Sequence, residues 1–362
     1  MNRGESYRHG GRPRLDLERF GIPDRALTDF SVSLNPLGPP RIIGERWASM
    51  MDGIRNYPGL EGEGIALFYR ERFGISPENV LGCNGSTEAI YLLPRALGIR
   101  KALVVVPSYH DYHRASRLAG AEVLSYPLVP EQGAFSYCRE RILEGMHRAD
   151  ALWVGNPNNP TGTLFPKPFI LELAGRFPDK WIVVDEAFIQ FLEGWQDHSL
   201  LFEQPRPNLL VIHSLTKFYA LAGLRLGGVV GAPGVISRLR MAKEPWSVNG
   251  LAERIAPLLI DCGGYERETL SLIRRERQRV FEALDPLKEI VLYPSTANFV
   301  LGQWRGTRNL DDLLRHLLRL GISLRDCRNF SGLQDNFFRF AILSPGENNT
   351  LVAGLKAFPE HS

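Results

Sequence analysis

Val211-Ile-His-Ser-Leu-Thr-Lys217-Phe-Tyr-Ala-Leu-Ala-Gly-Leu-Arg225 places a lysine just after a continuously apolar run, Leu209–His213. A run without polar alternation predicts a strand covered on both faces, as in parallel sheets. Four more runs read alike: Ala102–Val106, Ala151–Val154, Trp181–Val184 and Gly227–Val230. Helical stretches separate them, so the chain reads as βαβ units. The expected class is α/β: a large domain with a mostly parallel central sheet, plus a smaller α+β domain.

The pattern changes after residue 255. A long charged helix over Tyr265–Leu284 precedes strands at Glu289–Leu292 and Asn298–Leu301. A helix at Leu310–Leu320, two further apolar runs and a final helix follow. The expected division is an N-terminal arm over 1–40 that packs with the small domain, a large domain over 41–255 and a small domain over 256–362. The run Arg274–Val280 reads as a solvated helix face, because glutamate interleaves with its arginines.

Composition narrows the function. The 43 Lys+Arg nearly balance the 40 Asp+Glu, which argues against a dedicated nucleic-acid binder. No apolar run reaches the roughly 18 residues of a membrane span. The polar start lacks the apolar segment of a secretory signal. The four cysteines form no CxxC pair, which suits a reducing cytoplasm better than a disulfide framework or zinc site. No metal is expected; His110 and His113 lie three apart without an obvious third ligand.

Ligands bind at the carboxyl ends of strands in open α/β sheets, and four unusual segments follow such ends. Lys217, between Ser214, Thr216 and Arg225, is either a surface residue or a desolvated nucleophile beside a phosphate site. Asp185 in Trp181-Ile-Val-Val-Asp185-Glu-Ala-Phe188 is either a helix cap or an anion facing a buried cationic heteroatom. Gly155-Asn-Pro-Asn-Asn159-Pro-Thr-Gly162 holds a polar side chain more rigidly than a turn requires. Gly85-Ser86-Thr87 opens a helix whose free N–H groups suit a phosphate, and Tyr109 after another strand suits a planar ring.

Together and in this order, these segments resemble the fold-type I pyridoxal-phosphate enzymes of the aspartate-aminotransferase superfamily, over nearly the whole chain. The resemblance implies pyridoxal 5′-phosphate as cofactor and a homodimer with shared sites. It makes Lys217 the cofactor-anchoring lysine, Asp185 the partner of the pyridine nitrogen, Asn159 the donor to the ring oxygen and Tyr109 the stacking ring. Gly85, Ser86, Thr87, Ser214, Thr216 and Arg225 match the phosphate cup. Tyr57 matches a tyrosine lent to the neighbouring subunit. Arg339 matches the arginine that grips the substrate carboxylate.

Two groups within the superfamily compete, the histidinol-phosphate aminotransferases and the threonine-phosphate decarboxylases. His9-Gly10-Gly11, the segment Asp29-Phe-Ser-Val-Ser33-Leu-Asn35-Pro-Leu-Gly and the stretch Gly321–Leu333 look like the decarboxylases. That assigns a small phosphorylated amino acid as substrate, with His9, Gly10, Ser33, Asn35, Asn159, Arg325 and Arg339 around it. Arg12 and Ser33 depart from that pattern, since asparagine is usual at both. Phe188 stands where the aminotransferases more often have tyrosine. A third reading, a regulatory domain of this fold, sits poorly with an intact Lys217 and Asp185.

Overall fold

A computed structural model describes residues 9–131, 133–333 and 335–358. Its apolar runs pair into one seven-stranded sheet. The order is Val80–Asn84, Leu226–Val230, Leu209–Ser214, Trp181–Asp185, Ala151–Gly155, Lys101–Val106 and Glu122–Pro127. All pairings are parallel except the two made by Leu226–Val230, which runs against both neighbours. The chain is thus α/β with a mostly parallel sheet. Leu209–Ser214 and Ala151–Gly155 are buried at every position. Each large aliphatic side chain so covered contributes about 1.5–3 kcal/mol.

Two strands lie outside the sequence expectation, each for a local reason. Val80–Asn84 contains Gly82, where a Cβ would stand 2.6 Å from the Gly62 carbonyl oxygen. Close approach to a neighbouring turn therefore decides that residue, and β-propensity does not. Glu122–Pro127 is an edge strand with mostly exposed or half-buried positions.

A second sheet is antiparallel throughout, in the order Ile290–Leu292, Phe299–Trp304, Phe337–Ala341 and Arg325–Asp326. Nearby, the helix Leu310–Arg319 buries Leu310, Leu313, Leu314, Leu317 and Leu318 at helical spacing, and the Asn309 side chain caps its start. Helix Gly263–Leu284 corrects one expectation. Its charged run is not simply a solvated face. Glu276 is buried and accepts hydrogen bonds from Arg279 and Asn348, while Arg277 donates to the Ala297 carbonyl at 2.8 Å. Arg274, paired with Glu193, and Arg275 are exposed, as expected of a solvated face.

The arm ties the two sheets together. Thr28–Asp29 pairs in parallel with Ile322–Ser323, and the Ala341 N–H donates to the Phe30 carbonyl at 2.9 Å. Arg19, on helix Pro13–Phe20, bridges Asp311 and Asp326 at 2.8 and 3.1 Å. Further on, the Asn35 N–H donates to the Lys217 carbonyl at 3.1 Å. The arm therefore runs from the smaller sheet to the lysine turn.

Candidate active site

Lys217 sits in a four-residue helical turn, Leu215–Phe218, at the end of its strand. Buried Leu215 and Phe218 anchor the turn, and the Thr216 hydroxyl donates to the Leu226 carbonyl at 3.0 Å. Lys217, Asp185, Asn159, Tyr109, Ser33 and Arg339 all face one cavity of about 210 Å³. Burial, then the charges of Arg339 and Arg225, push the lysine down to about 8, against the opposing pull of Asp185. Near neutral pH a useful fraction of the amine is therefore unprotonated and nucleophilic.

Asp185 ends the adjacent strand. Burial pushes its carboxyl up to about 6, although the Tyr112 hydroxyl (2.8 Å) and the Ala187 N–H (3.0 Å) both donate to it. Lys217 also pulls it down, and a buried carboxylate still raised beside a cavity suits a cation brought by a ligand.

The opposite end of the cavity is built to approach an anion closely. Gly85 precedes helix Ser86–Leu97 with φ 72° and ψ 161°, and a Cβ there would meet the Arg225 guanidinium at 2.6 Å. A Cβ on Gly227 would stand 2.7 Å from the Ser86 nitrogen. These two glycines let a helix start, a strand and a guanidinium converge. Ser86, Thr87, Ser214, Thr216 and Arg225 line the cavity there, and Arg225 contacts the Thr87 hydroxyl at 3.3 Å. Free N–H groups, hydroxyls and a guanidinium are the donor set of a phosphate site.

On the other side, Arg325 and Arg339 are directly opposite on neighbouring antiparallel strands, both buried and both facing the cavity. Burial, with Arg325 adding to it, lowers Arg339 to about 10. Arg339 donates to the Asn159 side-chain oxygen and, at 2.8 Å, to the Ser31 carbonyl; its Nε finds no partner among the described residues. With Asn159 Oδ1 so occupied, its Nδ2 is the end left for a ring oxygen. Arg325 donates to Asn329 at 2.7 Å and lies over the Phe330 ring. The buried Ser33 hydroxyl also lacks a partner among the described residues.

His9 and Gly10 reach the wall from the arm. A Cβ on Gly10 would lie 2.3 Å from the Ser31 carbonyl oxygen, so only glycine allows this approach. The His9 ring packs at 4.4 Å on His110, and Asp111 lies 3.8 Å from its Nε2. Arm-borne His9 and Asp111, and not His113, join His110: one ring nitrogen of each histidine and an Asp111 carboxylate oxygen lie within 4.8 Å of one another, while His113 Nε2 meets the Ser125 hydroxyl at 3.2 Å. Burial lowers His9 and pushes His110 down to about 4.

Gly85, Asn35 and Tyr57 are not on the cavity wall. Gly85 acts from behind Arg225. Asn35 spends its amide on the Phe218 carbonyl and the Thr269 hydroxyl, at 2.8 and 2.7 Å, and so braces the lysine turn. Tyr57 is 84% exposed, beside Trp246. Sequence reading overlooked Tyr112, although its place three residues after Tyr109 sets both on the same side of a helix start.

Residues 36–355 match the family model of class I and II aminotransferases. The chain belongs to that family. It is 33% identical over 352 residues to the threonine-phosphate decarboxylase of Salmonella typhimurium, covering 96% of this chain and 95% of that one. The crystal structure of a histidinol-phosphate aminotransferase from Clostridium acetobutylicum superposes with TM-score 0.84 at 29% identity, over 90% of this chain and 97% of the other. That of L-threonine-O-3-phosphate decarboxylase from Porphyromonas gingivalis gives 0.80 at 25%, over 91% and 98%. The buried carboxylate, the lysine lowered to about 8 and the cradle around Gly85 fit pyridoxal phosphate, the cofactor implied by the motifs.

Proposed function

We propose that the chain, with pyridoxal 5′-phosphate bound, converts L-threonine O-3-phosphate to (R)-1-aminopropan-2-yl phosphate and CO2, a step that supplies the aminopropanol linker of cobalamin. One observation carries this reading: Arg325 and Arg339 stand opposite each other in the lysine cavity. Like charges so placed repel, and a substrate bearing two anionic groups close together offsets the cost. Threonine phosphate has a carboxylate and a phosphate two carbons apart, whereas histidinol phosphate has no carboxylate. Similarity to the Salmonella enzyme along both chains supports the same reading.

The bound cofactor supplies an electron sink for the bond broken at the substrate Cα. Lys217 would anchor it, and the freed Lys217 amine would be placed to return a proton to Cα after CO2 leaves. Asp185 would hold positive charge on the ring nitrogen. Asn159 would donate to the ring oxygen and Tyr109 would cover a ring face. Gly85 gives room to Arg225, which binds the cofactor phosphate with Ser86, Thr87, Ser214 and Thr216. Arg339 grips the substrate carboxylate. Arg325 and His9 would take its phosphate, with Gly10 and Ser33 beside them, and this second grip would decide which Cα bond is broken.

The organisation we infer is an arm over 1–40, of which residues 1–8 lie outside the described part, a cofactor domain over 41–255 and a small domain over 256–362. Exposed Tyr57, with Trp47, Met51, Ile54, Leu60 and Trp246 also exposed, supports a homodimer in which Tyr57 serves the partner's site. Among the described residues no helix is long and apolar enough to cross a membrane, and the four cysteines are unpaired, which supports a cytoplasmic site.

The test is CO2 release from L-threonine O-3-phosphate by the cofactor-loaded chain without a keto acid. The likeness to the Clostridium structure favours a second reading, transamination. Glutamate from histidinol phosphate and 2-oxoglutarate, with no CO2 from threonine phosphate, establishes that reading instead.

A further inference from the structure

We propose that Tyr112 is a positioning residue that keeps the proton shared by Asp185 and the cofactor ring nitrogen on the nitrogen. The inference rests on the pyridoxal-phosphate reading. Tyr112 is buried in helix Asp111–Leu118, one turn beyond Tyr109. Its ring stacks on Trp153 with centroids 5.3 Å apart and an interplanar angle of 18°. Trp153 belongs to the strand beside the Asp185 strand, in register with Val183. The stack fixes the direction of the phenol, whose hydroxyl donates to Asp185 Oδ2 at 2.8 Å.

The effect is electrostatic. Burial drives the Asp185 carboxyl towards its neutral form, and the largest opposing influence is the Tyr112 hydrogen bond, followed by the Ala187 N–H. A hydrogen bond to the ionised carboxylate stabilises that form against the acid. When a ring nitrogen faces the carboxylate, stabilising the anion favours carboxylate with pyridinium over carboxylic acid with pyridine. The phenol itself stays protonated, because burial and the facing carboxylate hold it well above the ordinary tyrosine value. Tyr112 lines the same cavity, but its hydroxyl is spent on Asp185, so it acts through that carboxylate.

The test uses the holoenzyme loaded with cofactor labelled with nitrogen-15 in the ring. The wild-type nitrogen resonates as pyridinium. Tyr112→Phe, which keeps the stack on Trp153, moves the resonance towards pyridine and lowers kcat roughly tenfold, with KM within about twofold. If Tyr112→Phe fails to fold, 4-aminophenylalanine at 112, a weaker donor of similar shape, decides the matter by moving the resonance towards pyridine. An unchanged nitrogen resonance in the folded variant overturns the proposal. Failure of the wild-type chain to bind cofactor would instead overturn the reading on which it rests.

Discussion

Gly85→Ala separates a backbone cost from a binding cost. The residue sits at φ 72° and ψ 161°, a region open essentially to glycine, so alanine there costs about 1–3 kcal/mol of stability. The new Cβ also falls 2.6 Å from Arg225 Nη2 and 2.9 Å from its Cζ. The backbone cannot retreat, because Gly227 already packs where a Cβ would lie 2.7 Å from the Ser86 nitrogen. The guanidinium must move instead, and it leaves the phosphate. Losing a hydrogen bond to a charged group costs about 1.5–3 kcal/mol, or roughly 10- to 150-fold in Kd. Pyridoxamine 5′-phosphate, which makes no bond to Lys217, is the ligand for the titration. Gly74→Ala is the control: it has φ 70° and nothing within 4 Å of its Cβ, so it loses stability but not affinity. If Gly85→Ala binds within twofold of wild type although its thermal midpoint falls, Arg225 does not hold the phosphate and the cradle reading is wrong.

Stopped-flow mixing of apo chain with pyridoxal phosphate should give a rate that rises with pH and levels off above about 8, since only the neutral Lys217 amine attacks. Arg339→Met removes one of the charges that lower the lysine and moves that plateau upward; a wild-type plateau near ordinary lysine values counts against the site. Because the folded lysine lies below its unfolded value of about 10.4, the unfolded chain binds more protons between the two, and apo stability rises with pH across that window. Mixing Lys217→Ala and Tyr57→Ala subunits should restore activity, because a hybrid dimer then holds one site with both residues intact; hybrids that form yet stay inactive refute a shared site. Glu276→Gln should lower stability by about 1–3 kcal/mol in urea unfolding. Burial raises the Glu276 carboxyl, but Arg279 and Asn348 outweigh it and hold the group below the usual glutamate value, so this contribution is present above about pH 4.3 and lost as pH falls through the folded value.

What was legible in the sequence is what depends on local pattern. Trp181–Val184 and Leu209–His213 announce themselves because a doubly covered strand must be apolar at every position, and the residue after each then stands at the ligand-binding edge. Val80–Asn84 does not, since Gly82 answers to a chain segment twenty residues away. The Arg274–Val280 run misled for a related reason: only tertiary packing brings Asn348 and the Ala297 carbonyl over Glu276 and Arg277. The His9, His110 and Asp111 cluster joins residues a hundred positions apart, so no spacing rule finds it. Tyr112 is intermediate, because its place one turn past Tyr109 is legible but its bond to Asp185 needs the neighbouring strand.

The register of the smaller sheet bears most directly on what the cavity accepts. Arg325 and Arg339 could have faced opposite sides of their strands; a one-residue slip would do it. Instead Arg325 pairs with Arg339, and both guanidiniums enter the same cavity. Stability alone opposes this arrangement, since each charge is desolvated and each raises the cost of the other. Partial compensation is visible: Arg325 has Asn329 and the Phe330 face, while Arg339 has Asn159, the Ser31 carbonyl and the Phe299 face. Those partners are neutral acceptors or rings. A fold that keeps two such charges beside a neutralisable lysine is prepared for an amine carrying two anionic groups. Arg325→Ala should therefore raise KM for threonine phosphate far more than for a phosphate-free amino acid, while Arg339→Ala should weaken both. Equal losses on both substrates for Arg325→Ala would mean that the two arginines share one anion, and the division of labour argued from their register would fall.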